Sequence, residues 1–149
     1  MSESSFTKNG PNFVPAYQLS GTPYVTSSAS TEVPAANAGA PVSLEIEFPY
    51  VTRWVVVQNI GGNALKMGFS KNGVNTSGEG GVSSFFTIPA QGASADNAAP
   101  ARTPRLELRC KSLHFAGVGD TTGVQVIAGL TGIEEFPVLT GSNGFQGIG

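Results

Sequence analysis

Residues 42–48 read Val-Ser-Leu-Glu-Ile-Glu-Phe, and this stretch decides the fold. Val42, Leu44, Ile46 and Phe48 share one parity, while Ser43, Glu45 and Glu47 share the other. Side chains alternate faces along a strand, so the segment is extended, with one face packed and one wet. The same period recurs along the chain. Leu65, Met67 and Phe69 alternate with Lys66, Gly68 and Ser70, and Val124, Val126, Ala128 and Leu130 give a last regular alternation. Shorter strands are expected at Tyr24–Thr26 and Phe86–Ile88. Arg53–Ile60, RWVVVQNI, is apolar on both parities. It is expected to be a central strand covered on both faces.

The segment RLELRCKSLHF at 105–115 breaks its own rhythm. Leu106, Leu108 and Cys110 point one way, but Leu113 and Phe115 are an odd number of residues further on. A bulge or tight bend near Lys111 and Ser112 is needed to keep all five inward. The result is one bent strand or two short ones, and seven or eight strands in all. Gly61-Gly62-Asn63 and Asn72-Gly73 are expected to mark reversals, the latter pair through the positive φ of primed hairpin turns. Residues 70–83 and 89–104, rich in Gly, Ser, Ala and Asn, are expected to be loops at the ends of a sandwich. The fold class is therefore all-β: a single jelly-roll, or related Greek-key, antiparallel β-sandwich of about eight strands with extended N- and C-terminal arms. An immunoglobulin-like sandwich is the alternative, although its usual cysteine pair has no counterpart here.

Composition narrows the function. The 149 residues include 20 glycines and 10 prolines, and only 12% are charged, yet 40% are hydrophobic. A disordered charged tail would lack that apolar content. One domain of this length buries roughly 68–70% of its unfolded surface, enough for a core without staples. The lone Cys110 can form no intrachain disulfide. A net charge of −2 argues against a nucleic-acid or anionic-membrane partner. No segment has the roughly 20 apolar residues of a membrane span, and the N-terminus carries no signal-peptide pattern. The expectation is a soluble protein, made in a reducing compartment.

The ends differ from the middle, dividing the chain into an N-terminal arm (1–22), a sandwich (23–133) and a Gly-rich C-terminal tail (134–149). After Glu135 no charged residue follows. Phe6, Phe13, Tyr17 and Leu19 in the arm, and Phe136, Leu139, Phe145 and Ile148 in the tail, are too sparse to build a core. They are candidate interface residues that should lie on the sandwich or on a neighbouring subunit.

Catalytic chemistry is thinly supplied. Cys110 and His114 are four residues apart, about 13 Å along a strand, too far for a thiol and its base. The parity slip also turns His114 outward. Glu45 with Glu47, and Glu134 with Glu135, read as solvated faces rather than cation ligands. The runs GEGGV and GVGDTTG match neither a phosphate loop nor a dinucleotide fingerprint. Asn75-Thr76-Ser77 matches the glycosylation triplet, a pattern that chance often produces. Trp54, Tyr17, Tyr24 and Tyr50 read first as core and interface packing, with a lectin-like sugar-binding face as the alternative. No catalytic residue, metal site or cofactor is expected.

Four stretches, RWVVVQN at 53–59, MGFSKNGV at 67–74, RLELRCKSLHF at 105–115 and VIAGLTGI at 126–133, together resemble the single jelly-roll capsid proteins of large icosahedral DNA viruses of algae. Within that group the similarity is to the penton (vertex) or minor capsid proteins of the chlorella-virus type. The resemblance covers residues 42–133 and rests on strand and turn patterns. It implies a structural, non-enzymatic virion component made in the host cytoplasm. As a penton it would be a homopentamer contacting the major capsid protein and minor capsid proteins, with no cofactor, no nucleic acid and no direct membrane insertion. A minor capsid or cement protein is the alternative within that family.

Overall fold

The computed structural model describes residues 21–29, 32–37, 39–75, 84–92, 101–140, 144–145 and 147–149. Seven strands and one short helix are present among them: β1 (Thr22–Ser27), β2 (Leu44–Glu47), β3 (Thr52–Asn59), β4 (Leu65–Gly68), α1 (Lys71–Asn75), β5 (Phe86–Ile88), β6 (Ser112–Gly117) and β7 (Val124–Leu130). They form two antiparallel sheets, one ordered β1-β7-β3 and the other β2-β6-β4-β5. The molecule is an all-β sandwich.

The alternating positions read from the sequence meet between the sheets. Val55, Val57, Val124, Val126, Ala128 and Leu130 enter from the first sheet, and Ile46, Leu65, Met67, Ile88, Leu113 and Phe115 from the second. These twelve lie in one buried cluster, which Phe48 and Val33 also join. Full burial of an aliphatic or aromatic side chain contributes about 1.5–3 kcal/mol, so each member of this cluster is a substantial stabilising contribution. Tyr24 from the edge strand stacks edge-on against Phe48, ring centroids 5.2 Å apart.

Three local expectations need correction. The valine run of β3 does not make it a strand buried on both faces. Val55 and Val57 are buried while Val56 is only half-buried, although β3 lies between β7 and the bridged segment around Leu106. Gly61-Gly62-Asn63 joins β3 to β4 but closes no hairpin, because the two strands belong to different sheets. Asn72-Gly73 is no primed turn; it lies inside α1. The Ser70 hydroxyl caps that helix by accepting from the Gly73 N–H at 2.9 Å, an interaction that selects a helical turn over a hairpin.

The parity slip at Lys111 has a physical explanation. Before it, the chain lies along β3, with antiparallel bridges Gln58–Arg102 and Val55–Leu106. After it, β6 pairs with β2 and β4 in the opposite sheet. A segment that changes sheets must turn its inward face over, and the bend at the corner does this. Leu106 and Leu108 pack against the core, and Cys110, Leu113 and Phe115 are fully buried.

Polar groups inside are satisfied by specific partners. Asn59, fully buried, donates to the carbonyls of Asn63 (2.7 Å) and Pro89 (3.0 Å) and accepts from the Gly61 N–H and the Thr122 hydroxyl. Among the described residues no buried side-chain nitrogen or oxygen lacks a partner.

Candidate functional site

The outer face of the second sheet carries a cluster of polar side chains around His114. Antiparallel register sets Glu45 opposite His114 and Glu47 opposite Ser112. The His114 ring is held on both sides: Nδ1 lies 3.1 Å from the Ser43 hydroxyl, and Nε2 lies 3.6 Å from Glu45 Oε1. A proton on Nε2, toward the carboxylate, leaves Nδ1 to accept the Ser43 proton. Burial holds the imidazole below its ordinary 6.5; Glu45 opposes that shift and Lys71 adds to it. The ring is therefore neutral at pH 7. It acts as a hydrogen-bonding tie between β2 and β6.

The described residues of the C-terminal tail, 134–140, 144–145 and 147–149, form a strap on this face. Lys111 Nζ donates to the Glu134 carbonyl at 2.7 Å, at one end of the strap. Leu139 packs against the core cluster. At the other end, the Ser70 hydroxyl lies 2.8 Å from the Ile148 carbonyl and 2.9 Å from that of Gly149. Glycine is required where the strap meets α1, since a Cβ on Gly73 would stand 2.3 Å from the Ile148 oxygen. Between strap and sheet runs a groove of about 340 Å³. Its lining includes Glu45, Glu47, Lys71, Lys111 and His114 from the sandwich, with Phe136, Val138 and Leu139 from the strap.

The candidate interface residues divide accordingly. Phe6, Phe13, Tyr17 and Leu19 lie outside the described residues. Phe136, Leu139, Phe145 and Ile148 are half-buried. Among the described tail residues, Val138 is an open apolar side chain, 69% exposed.

Cys110 and His114 do not meet. The thiol faces the core beside the Thr52 hydroxyl, and burial pushes it up to about 11 despite that contact. The imidazole is on the opposite surface of the sheet with Ser43 and Glu45. Among the described residues no three His, Cys, Asp or Glu side chains, Glu45 and Glu47 included, gather to hold a metal ion. Asn75 is 4% exposed, and its amide donates to the carbonyls of Val42 and Lys71 while accepting from the Asn37 N–H. An amide so occupied has no free nitrogen to offer a glycan. Trp54 lies over Gly129, where a Cβ would meet the indole Nε1 at 2.3 Å, and Arg105 covers the ring at 5.2 Å. A stacked sugar would have to displace that guanidinium.

The Ser43–His114–Glu45 constellation escaped the sequence reading. Its signal was the shared outward parity of Ser43 and Glu45, but only the β2–β6 register brings His114 to them. Among the described residues no helix is long and apolar enough to cross a membrane. Comparisons with protein-family models, curated proteins and solved structures give no match.

Proposed function

We propose that this chain is a structural subunit of a viral capsid, the pentameric penton at icosahedral vertices, and that it works by packing and not by catalysis. The observation that carries this reading is how the strands pair. If the segment Arg102–Leu106, bridged to β3, is counted as a strand, the first strand pairs with the last (β1–β7) and the second with the second-last (β2–β6). β3 then pairs with the bridged segment, and β4 with β5. Such pairing is one long antiparallel ribbon wrapped into two sheets. That pairing supports a jelly-roll reading, an architecture used by capsid and lectin domains.

The surface supports the capsid use. Interface cores are depleted in charge and enriched in aromatics, and this chain combines 12% charged residues with exposed Phe86, Val118 and Val138. The partners in this reading are copies of the chain itself and the major and minor capsid proteins. Native mass spectrometry of the purified protein and electron microscopy of virions test it. A pentamer that fits the vertex density is expected. A stable monomer missing from particles would overturn the reading, and density elsewhere in the shell would make it a minor capsid protein. Saturable glycan binding lost on substitution of Trp54 would favour the lectin-like alternative.

A further inference from the structure

The outer face of the β1-β7-β3 sheet is apolar along a continuous row. Val25 stands opposite Ile127, and Ile127 stands opposite Val56, so one side chain from each strand forms the row. Val25 is 70% exposed and Ile127 44%. Around them are the Gln58–Gln125 hydrogen bond and Trp54. The outward positions of β1 and β7, and of β3 from Trp54 to Gln58, carry no charge. Beyond β3 the face is bounded by Arg105, whose guanidinium covers Trp54; isolated surface hydrophobics need no explanation, but a contiguous apolar row marks a binding surface.

The chain enters β1 at a corner of this face. Gly21 is so close to Gly129 that a Cβ on it would come within 2.4 Å of the Gly129 Cα, and Gly129 is the residue over which Trp54 lies. The ten residues before Gly21, PNFVPAYQLS, are also uncharged. Their large side chains fall mainly on one parity, Phe13, Tyr17 and Leu19, as a strand-like apolar edge requires. Residues 12–20 reach about 30 Å when extended, against about 20 Å for the length of β1 and about 10 Å across three strands. A segment tethered at the edge of its own site competes at an effective concentration of about millimolar, well above that of any second copy in dilute solution.

We propose that the outer face of the β1-β7-β3 sheet is the seat of the chain's own residues 12–20, with Phe13, Tyr17 and Leu19 set on the Val25–Ile127–Val56 row. This inference does not depend on the capsid reading.

Two experiments on the full-length chain test it. In a Cys110→Ser background, Tyr17→Cys is combined with Ile127→Cys and, as a control, with Val42→Cys near the other sheet. Oxidation of an equal mixture of ¹⁵N-labelled and unlabelled protein should give the Ile127 pair at least about tenfold more disulfide than the control, because both pairs share the same tether and only seating on the face sets them apart. The product should have the mass of a single chain. Mixed labelled–unlabelled dimers would mean that a second copy occupies the face, and a yield equal to the control would leave the face unoccupied; either overturns the proposal. Separately, Ile127→Lys places a charge in the row and should accelerate chymotryptic cleavage at Phe13 and Tyr17, whereas Val42→Lys should not. An unchanged rate in Ile127→Lys also overturns it.

Discussion

Thr52 and Cys110 exchange two hydrogen bonds: the Thr52 N–H donates to the Cys110 carbonyl at 3.0 Å, and the Cys110 N–H donates to the Thr52 hydroxyl oxygen at 3.1 Å. The same hydroxyl donates to the Leu108 carbonyl at 2.6 Å. This pair sits where the chain leaves the first sheet for the second, so it fixes the corner that the parity slip demands. Thr52→Val keeps the branched shape but leaves the buried Cys110 N–H and Leu108 carbonyl without their partner. A loss of about 1–3 kcal/mol is expected for each group so stranded. Urea unfolding should show the midpoint falling with the slope unchanged.

The Cys110 thiol should be inert in the folded protein. Burial raises it from 9.0 to about 11, so the folded state holds the proton more tightly than the unfolded chain does. The associated stability is complete below pH 9.0 and is lost as the pH rises toward about 11. Thiol titration at pH 8 should show no reaction until denaturant is added, and Cys110→Ala should remove part of the alkaline loss of stability.

Asn59 should be among the least replaceable residues. Its fully buried side chain ties the end of β3 to the turn after it, to Pro89 and to Thr122. Asn59→Leu deprives several buried groups of partners at about 1–3 kcal/mol apiece and should prevent stable folding. Gly61→Ala should be damaging too, because its Cβ would stand 2.2 Å from the Thr122 hydroxyl. Expression and circular dichroism of both variants check this.

The strands were legible because a half-buried strand writes its burial into alternate residues. Val42–Phe48 and Val124–Leu130 showed this directly, and even the corner at Lys111 was visible as a broken period. Which sheet each strand joins was not legible. Gly61-Gly62-Asn63 has the composition of a hairpin, but whether a turn returns beside its strand or crosses the sandwich depends on packing at distant residues such as Thr122. The polar cluster was hidden for a related reason. Ser43 and Glu45 are near neighbours in the chain, whereas His114 reaches them only through strand register, which no local pattern records. The strap was half legible: uncharged hydrophobics after Glu135 had to rest on something, but the Ser70 hydroxyl that receives the last residues had no sequence signature.

His114, the single histidine, offers an unambiguous titration. Burial favours its neutral form, so the ring's contribution to stability is present above pH 6.5 and is lost as the pH falls through the lowered folded value. The charged groups facing it, Glu45 and Lys71, push in opposite directions. Proton NMR should give a midpoint below 6.5, lower still in Glu45→Gln and higher in Lys71→Gln. A midpoint at or above 6.5 in the native chain would mean that the ring is not covered as described.

The strap should contribute stability without being required for the fold. Leu139 touches the core cluster but is only half-buried, so Leu139→Ala should cost about 1–2 kcal/mol, less than a full core truncation. Ser70→Ala removes both the α1 cap and the hydroxyl that holds the Ile148 and Gly149 carbonyls. It should free the end of the strap, read as faster carboxypeptidase trimming, while the strand circular dichroism signal persists. Deleting the residues after Glu135 should leave a folded sandwich of lower melting temperature, with the Glu45–His114 face uncovered. If the capsid reading holds, that chain should also assemble less well, because Val138, an open apolar residue of the strap, is lost with it. Unfolding of the truncated chain would instead make the strap part of the core.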